Sequence, residues 1–127
     1  MSFDALRAAI EQRMSDNWVV TDIAYPNVAF DAPKDAWVRL NILQGETVRR
    51  NINAQKKYQG VIIVQVFTLL GTGTMLGRSL ADDVVALFED ARFSGVVCEI
   101  ASLTDAGPSE DWHQINVSIP FYLDADI

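Results

Sequence analysis

Cysteine and histidine are nearly absent from this chain of 127 residues, which has one of each, Cys98 and His113. A lone cysteine cannot form a disulfide within the chain and cannot anchor a zinc site by itself. The sequence is therefore compatible with a reducing cytoplasm, and its stability must come from packing. We expect no metal ion and no cofactor.

Long uninterrupted apolar runs are also absent. The longest, Val61 to Leu70, is broken by Gln65 and Thr68 and has about half of the ~20 residues that a membrane helix requires. The N-terminal residues 1–14 mix charged with apolar side chains and do not resemble a secretory signal. We expect neither a membrane partner nor export by the secretory route.

Basic residues are in the minority, since 10 Lys and Arg against 17 Asp and Glu give a net charge of −7. This balance argues against a protein that coats nucleic acid, because non-specific affinity for DNA comes mainly from basic side chains. Residues 1–33 carry −3, residues 34–78 carry +5 and residues 79–127 carry −9. If the fold keeps these segments apart, oppositely charged surfaces favour docking between subunits or partners; scattered, solvated charge is the alternative.

The hydrophobic periodicity predicts one α+β domain spanning residues 1–127, with two helices on a mixed or mostly antiparallel sheet and an extended hairpin arm. Half of the residues are hydrophobic, which suits a compact core. The expected helices cover residues 3–15 and residues 75 to about 92, the second capped by Thr74. The expected strands are Trp18–Ile23, Ala36–Leu43, a weak one around Val48–Ile52, Val61–Leu70, Val96–Ala101 and Trp112–Tyr122. A loop containing Gly107-Pro108 is expected before the last strand.

The segment from Gly71 to Gly77 follows a strong strand and opens a helix, as a phosphate-binding loop would. Its spacing differs from both the dinucleotide fingerprint and the P-loop, since Arg78-Ser79 follows the last glycine. The simpler interpretation is that this segment is a tight turn, with a small residue that lets the helix approach the sheet. A small nucleotide-binding module remains the alternative from a different functional class.

Cys98 and His113 are expected on neighbouring strands, where a nucleophile and its base are conceivable. Both residues also fall on the side of their strands that is expected to face the core, so they are more simply interpreted as ordinary core or core-edge residues. We therefore predict no catalytic residues and no enzymatic activity.

The remaining candidates are charged surface residues that suit an interface. Adjacent carboxylates on a helix point about 100° apart, so neither Asp82-Asp83 nor Glu89-Asp90 converges on one ligand, although an acidic face could hold a cation at a subunit boundary. The basic arm lacks the interleaved aromatics of a single-strand binder, so it is either a solvated hairpin or a docking arm. The predicted interface residues are Arg49, Arg50, Lys56, Lys57, Asp82, Asp83 and Glu89.

Several segments in this order resemble the tail terminator family of long-tailed bacteriophages, typified by the terminator of phage lambda. The likeness covers most of the chain from residue 27 onward and rests on packing signatures rather than on chemistry. The segments are Asn27-Val-Ala-Phe30 with Pro33 and Trp37-Val-Arg39, Tyr58-Gln-Gly60 leading to Val64-Gln-Val-Phe67, Gly71-Thr-Gly73, Leu80-Ala-Asp82 and Ile119-Pro-Phe121.

The resemblance implies a structural subunit that forms a homo-hexameric ring on the end of a completed tail tube. That ring stops tube growth and presents a surface to the head–tail connector or stopper, so the implied partners are further copies, the tube protein and the connector. DNA would only pass through the channel. The implied location is the tail–neck junction of the virion, with the host cytoplasm during assembly. Another ring protein of the neck is the close alternative.

Overall fold

The computed structural model describes residues 3–26, 28–33, 35–45, 48–49, 56–71 and 75–124, six of them by backbone alone (Val48, Arg49, Lys56, Lys57, Ser109 and Asp124). Within these ranges the chain forms two helices and eight strands. In chain order they are α1 (Phe3–Asn17), β1 (Asp22–Ala24), β2 (Ala36–Gln44), β3 (Val48–Arg49), β4 (Lys56–Leu69), α2 (Met75–Phe88), β5 (Arg92–Phe93), β6 (Val96–Cys98), β7 (Ser102–Ser109) and β8 (Trp112–Asp124).

The strands form one mixed sheet around a long central pair. Strands β4 and β8 form an antiparallel ladder. It begins where Lys57 lies opposite Asp124 and ends where Leu69 lies opposite Trp112. The order across the sheet is β1-β2-β4-β8-β6-β5, while β3 pairs with β4 and β7 pairs with β8. Only the β1–β2 pair is parallel among the described strands. The predicted α+β class with two helices and a mixed sheet is confirmed.

Both helices bury their apolar sides against one face of this sheet. The spacing of Leu6, Ile10 and Met14 on α1 brings these side chains to the core, where each is at most 1% exposed. Alternate residues of the central strands, such as Val64 and Val117, complete the same core. The helices are also joined directly, because Arg13 Nη2 of α1 donates a hydrogen bond of 2.9 Å to the carbonyl oxygen of Leu87.

The predicted first helix is confirmed and extends two residues further, but the second helix ends at Phe88 rather than near residue 92. Asp90 has a left-handed φ of 57°, which interrupts the helix. The chain then enters β5 and turns into β6 through Ser94 and Gly95, both with positive φ. The expected Thr74 cap lies outside the described residues.

The expected strand at Trp18–Ile23 is wrong in position. The observed strand β1 covers only Asp22–Ala24. Trp18 instead closes the C-terminal end of α1, since its backbone nitrogen donates to the Met14 carbonyl oxygen at 2.9 Å and its ring nitrogen donates to Thr21. An aromatic and β-branched composition therefore gave the correct type of element but the wrong residues.

Two further predictions near the C-terminal end are corrected. The strand at residues 96–101 ends at Cys98, and Ile100 is 70% exposed instead of sharing the buried row. The expected loop around Gly107-Pro108 is part of strand β7, which accommodates a bulge between Asp105 and Gly107. Glycine and proline are tolerated there because β7 lies at an edge and contains a bulge.

The central position of Val61–Leu70 is confirmed, but its expected coverage on both faces is not. One face packs under the helices, whereas Val61, Ile63 and Gln65 on the opposite face are only partly buried. We call this opposite side the outer face of the sheet. In the described part of the chain, neither helix is long and apolar enough to cross a membrane.

Candidate assembly surfaces

The acidic residues predicted on α2 divide into two groups. Asp82 and Asp83 are exposed on the helix, where they are available to a partner. Glu89 follows the helix, and its Oε2 accepts a hydrogen bond of 2.9 Å from the backbone nitrogen of Ala101. Its carboxylate therefore holds the end of α2 against the connection between β6 and β7.

The basic arm is described at its base only. The backbones of Val48 and Arg49 pair antiparallel with those of Lys57 and Lys56, so the predicted hairpin exists at that point. Arg50 and the rest of the arm through residue 55 lie outside the described residues. Docking by the four basic side chains stays a prediction.

The topology separates the charged segments of the sheet. The stretch from Ala36 to Gly60 has five basic residues and one acidic residue. Of its described part, β2 and β3 lie on the side of β4 away from β8, whereas Lys56 and Lys57 belong to β4 itself. The stretch from Ser94 to Asp124 has five acidic residues and no Lys or Arg, and its strands β6 and β7 lie on the other side. Strands β2 and β3 therefore come from a segment of net positive charge and strands β6 and β7 from one of net negative charge, while the outermost strands β1 and β5 carry Asp22 and Arg92, respectively.

In the segment from Gly71 to Gly77, packing explains the glycine at the C-terminal end. Gly77 is buried on α2, and a Cβ atom at this position would lie 2.9 Å from Ile115 Cδ1 and 3.6 Å from Thr68 Oγ1. The small residue thus lets α2 approach β4 and β8. Gly71 has a φ of +89°, which suits the turn after β4. Residues 72–74 lie outside the described residues.

Cys98 and His113 do not form a catalytic pair. Cys98 pairs with Phe121 of β8, eight residues along that strand from His113, which places the two side chains roughly 26 Å apart. Burial raises the pKa of the Cys98 thiol to about 11, against a smaller lowering effect of Arg13. The thiol is therefore a protonated core group at neutral pH.

His113 belongs instead to a cluster that the sequence did not reveal. Its Nε2 lies 2.9 Å from Asp105 Oδ1, although the two atoms are not aligned as a hydrogen bond, and Asp105 Oδ2 lies 3.8 Å from Arg78 Nη2. These side chains connect β8, β7 and the start of α2. The cluster was missed because Asp105 was expected in a loop, so no periodicity placed it beside His113.

An aromatic cluster covers one end of the outer face and was also missed. Trp37 stacks on Phe67 with ring centroids 4.1 Å apart, and Trp112 meets Trp37 edge-on at 6.0 Å. The guanidinium of Arg39 lies 5.1 Å from the Trp37 ring and 5.7 Å from the Phe67 ring. Trp37 and Phe67 alternate with core residues on adjacent strands and lie opposite each other. Aligning the two strands would therefore have predicted a second, smaller apolar cluster.

Uncharged amides occupy the middle of the outer face. Asn41 Nδ2 donates to Gln65 Oε1 at 3.1 Å across β2 and β4, and Gln114 Nε2 donates to Asn116 Oδ1 at 2.8 Å along β8. Side chains of this kind can bind another polar surface, but none of them is a nucleophile or a general base at neutral pH.

Nothing in the described ranges brings together three or more His, Cys, Asp or Glu side chains that could hold a metal ion. The chain is a two-helix α+β domain with a mixed sheet. Several solved protein chains match this one; one of them shares its fold with a TM-score of 0.76 and 23% sequence identity, over 98% of this chain and 96% of the other. At that identity, the likeness shows the fold alone.

The family model described as phage tail terminator protein matches residues 5–121. The chain therefore belongs to the phage tail terminator family, and the resemblance found in the sequence is confirmed. Comparison with curated proteins gives no match. Membership of this family assigns the chain to phage tail assembly as a structural component of the virion.

Proposed function

We propose that the chain assembles into a homo-hexameric ring that caps a completed tail tube. The ring ends polymerisation of the tube and forms the surface to which the head attaches. Its partners are further copies of itself, the tail tube protein and the connector or stopper protein of the head. It forms in the host cytoplasm and stays at the tail–neck junction of the virion.

The observation that carries this proposal is the separation of charge across the sheet. A ring requires heterologous contacts, in which two different patches of one subunit meet. Strands β2 and β3 belong to a segment rich in basic residues, and strands β6 and β7, on the other side of the β4–β8 pair, belong to an acidic one; the flanking strands β1 and β5 contribute Asp22 and Arg92. Patches of opposite charge on opposite sides favour head-to-tail association over face-to-face pairing of identical surfaces.

DNA passes through the channel of such a ring without being held. The net charge of −7 supports passage rather than binding, because a surface poor in Lys and Arg does not neutralise phosphates.

Binding to isolated phage parts tests the proposal against the alternative of another ring protein in the neck. Purified protein is mixed separately with tail tubes lacking heads and with filled heads lacking tails, and each mixture is pelleted. A terminator co-sediments with tubes and appears at one tube end by electron microscopy. Co-sedimentation with filled heads alone favours the neck-ring alternative.

The nucleotide-binding alternative has less support. Gly77, the last glycine of the candidate loop, lies against Ile115 in the core, which explains a small residue there without a phosphate. A thermal-shift panel of nucleotides tests the alternative, since a ligand at about 100 times its Kd adds roughly 2.7 kcal/mol to the free energy of unfolding. We expect no shift with any nucleotide.

A further inference from the structure

Besides the short strands β1, β3 and β5, two longer strand segments leave one edge open in the described part of the chain. Strand β1 covers β2 only from Trp37 to Arg39, so residues 40–44 have no strand on the side away from β4. Strand β7 pairs with β8 on one side and with no described strand on the other. Open edges present unpaired backbone donors and acceptors, which another chain can use.

Towards the C-terminal end of β7, its open edge is unsuited to pairing with another strand. The bulge at Gly107 interrupts the ladder, and Pro108 has no backbone N–H to donate. The part considered for pairing is therefore the segment 101–105, in which the Ala101 N–H already donates to Glu89, so new backbone bonds would come from Ser102 to Asp105. It has the same length as the open segment 40–44 of β2.

The β2 edge lies beside an apolar cleft of about 550 Å³ between the start of α1 and the loop before β2. Phe3 and Val28 in its lining are 56% and 62% exposed. The lining residues are Phe3, Leu6, Arg7, Glu11, Pro26, Val28, Ile42 and Gln44. The only charged members, Arg7 and Glu11, are paired with each other at 3.1 Å.

Exposed apolar side chains also mark the β7 edge. Ile100 is 70% exposed and Leu103 is 36% exposed. Leu103 lies opposite Val117 of β8, so it points to the side of the sheet that faces the helices. The cleft beside β2 opens on that same side, because Ile42 belongs to the core-facing row of β2.

The directions of the strands fix how the two edges can meet. Strand β2 is antiparallel to β4, β4 to β8, and β8 to β7, so β7 runs antiparallel to β2. If a second copy continues the sheet in the same orientation, its β2 meets β7 of the first copy in an antiparallel ladder. Leu103 then lies opposite Ile42 when residues 101–105 and 40–44 align end to end, which keeps both side chains on the helix side.

We propose that the ring is built by this edge-to-edge contact, in which residues 101–105 of one copy pair with residues 40–44 of the next. Ile100 and Leu103 enter the cleft formed by Phe3, Val28 and Ile42 of the neighbour. Residues 40–44 carry no charge and residues 101–105 carry only Asp105, so attraction between the basic and acidic segments comes from residues beside the ladder rather than from within it. This inference depends on the proposed ring, and it identifies the surfaces that would form it.

The direct test replaces one exposed residue on each surface with a charged one. Val28→Glu places a charge in the cleft, and Ile100→Glu places one on the opposite edge. Val19→Glu is the matched control, because Val19 is 89% exposed and lies in neither surface. Rings on tail tubes are counted by electron microscopy, and free oligomers are measured by analytical ultracentrifugation.

Each of the two variants should reduce ring formation about tenfold or more, because an unpaired charge is buried in the contact, while the control assembles like the native protein. An equimolar mixture of the two variants should form dimers but no rings, since only one intact pair of surfaces remains. Rings from Val28→Glu and Ile100→Glu at the native level would overturn the contact but leave the proposed function intact. Native protein that forms no rings and binds no tubes would overturn both.

Cross-linking provides a second readout in case a variant folds poorly. Thr104 and Asn41 lie on the outer face and become neighbours across the proposed contact. With a short bis-maleimide, assembled Thr104→Cys/Asn41→Cys protein should give a ladder of cross-linked subunits. Either cysteine alone should give none. A ladder that is absent from assembled double variant, or equally strong in the single variants, would also overturn the contact.

Discussion

Gly60 of β4 lies opposite Phe121 of β8, and the Phe121 ring occupies the space that a side chain at Gly60 would need. A Cβ atom placed on Gly60 would lie 2.9 Å from Phe121 Cζ and would also clash with the carbonyl oxygen of Leu43. Because backbone of β2 blocks one side, rotation of the phenyl ring alone cannot relieve the crowding. The close approach of three strands at this point therefore requires glycine.

Gly60→Ala should lower the free energy of unfolding by about 1–3 kcal/mol, as expected for overpacking in a core. Gln59→Ala, the preceding residue of the same strand, is the control and should have a much smaller effect. Urea denaturation followed by circular dichroism measures both. A Gly60→Ala protein as stable as the native chain would show that β2, β4 and β8 are not packed as described.

Glu89→Ala should destabilise the fold by about 1.5–3 kcal/mol, the range for a hydrogen bond to a charged group. The variant loses the 2.9 Å bond to the Ala101 backbone nitrogen that anchors the end of α2. Asp83→Ala removes an exposed carboxylate from the same helix and should change stability by less than about 0.5 kcal/mol. Equal losses in the two variants, measured by denaturant unfolding, would contradict the assigned role of Glu89.

The Cys98 thiol should react slowly with iodoacetamide while the protein is folded. With its pKa raised to about 11 by burial, only about 0.1% is thiolate at pH 8, compared with roughly 10% for a thiol with an ordinary pKa of 9.0. Alkylation at pH 8 should therefore slow by about 100-fold or more relative to urea-unfolded protein. Mass spectrometry over time measures both rates, and similar rates would contradict the buried position.

The same shift gives a pH dependence of stability with a definite sign. The folded thiol keeps its proton above pH 9, whereas the unfolded thiol loses it, so the unfolded state binds fewer protons in this interval. The contribution of Cys98 to the free energy of unfolding should fall between pH 9 and 11. Cys98→Ala should flatten this part of the curve relative to the native protein.

If Arg49, Arg50, Lys56 and Lys57 are solvated as the sequence predicts, replacing all four with Glu should leave the thermal midpoint nearly unchanged, because a solvated charge contributes well under ~1 kcal/mol. If the arm docks on an acidic neighbour, the variant should lose binding to tubes or to other subunits, and binding of the native protein should weaken as salt rises. A matched replacement of all four by Gln separates loss of charge from reversal of charge. A Glu variant that folds and binds tubes with native affinity would show that the arm is a solvated hairpin.

Strong periodic signals predicted most of the framework. The row Leu6, Ile10 and Met14 placed α1, and the alternation along residues 36–43 and 112–122 placed β2 and β8 on their correct faces. These signals are local, because one side of each element is buried and the sequence repeats accordingly. The family resemblance shared part of these strands, through Trp37-Val-Arg39 and Ile119-Pro-Phe121, but did not include α1.

The missed features depend on contacts between distant segments. Strand β7 was expected to be a loop because Gly107 and Pro108 usually mark turns, yet pairing with β8 and a bulge override that preference. The Asp105–His113 pair follows from this pairing and was missed for the same reason. The open edges of β2 and β7 depend on the strand order, which no single segment of the sequence reveals.

The length of tail tubes tests the central claim most directly. Purified tube protein is allowed to elongate from preformed tube ends, this chain is added at intermediate times, and tube lengths are measured by electron microscopy. A terminator should stop elongation when it is added, leave a length distribution fixed at that time, and appear as a ring on one end of each arrested tube. Tubes that continue to elongate at the same rate with excess protein present would contradict the proposed capping function.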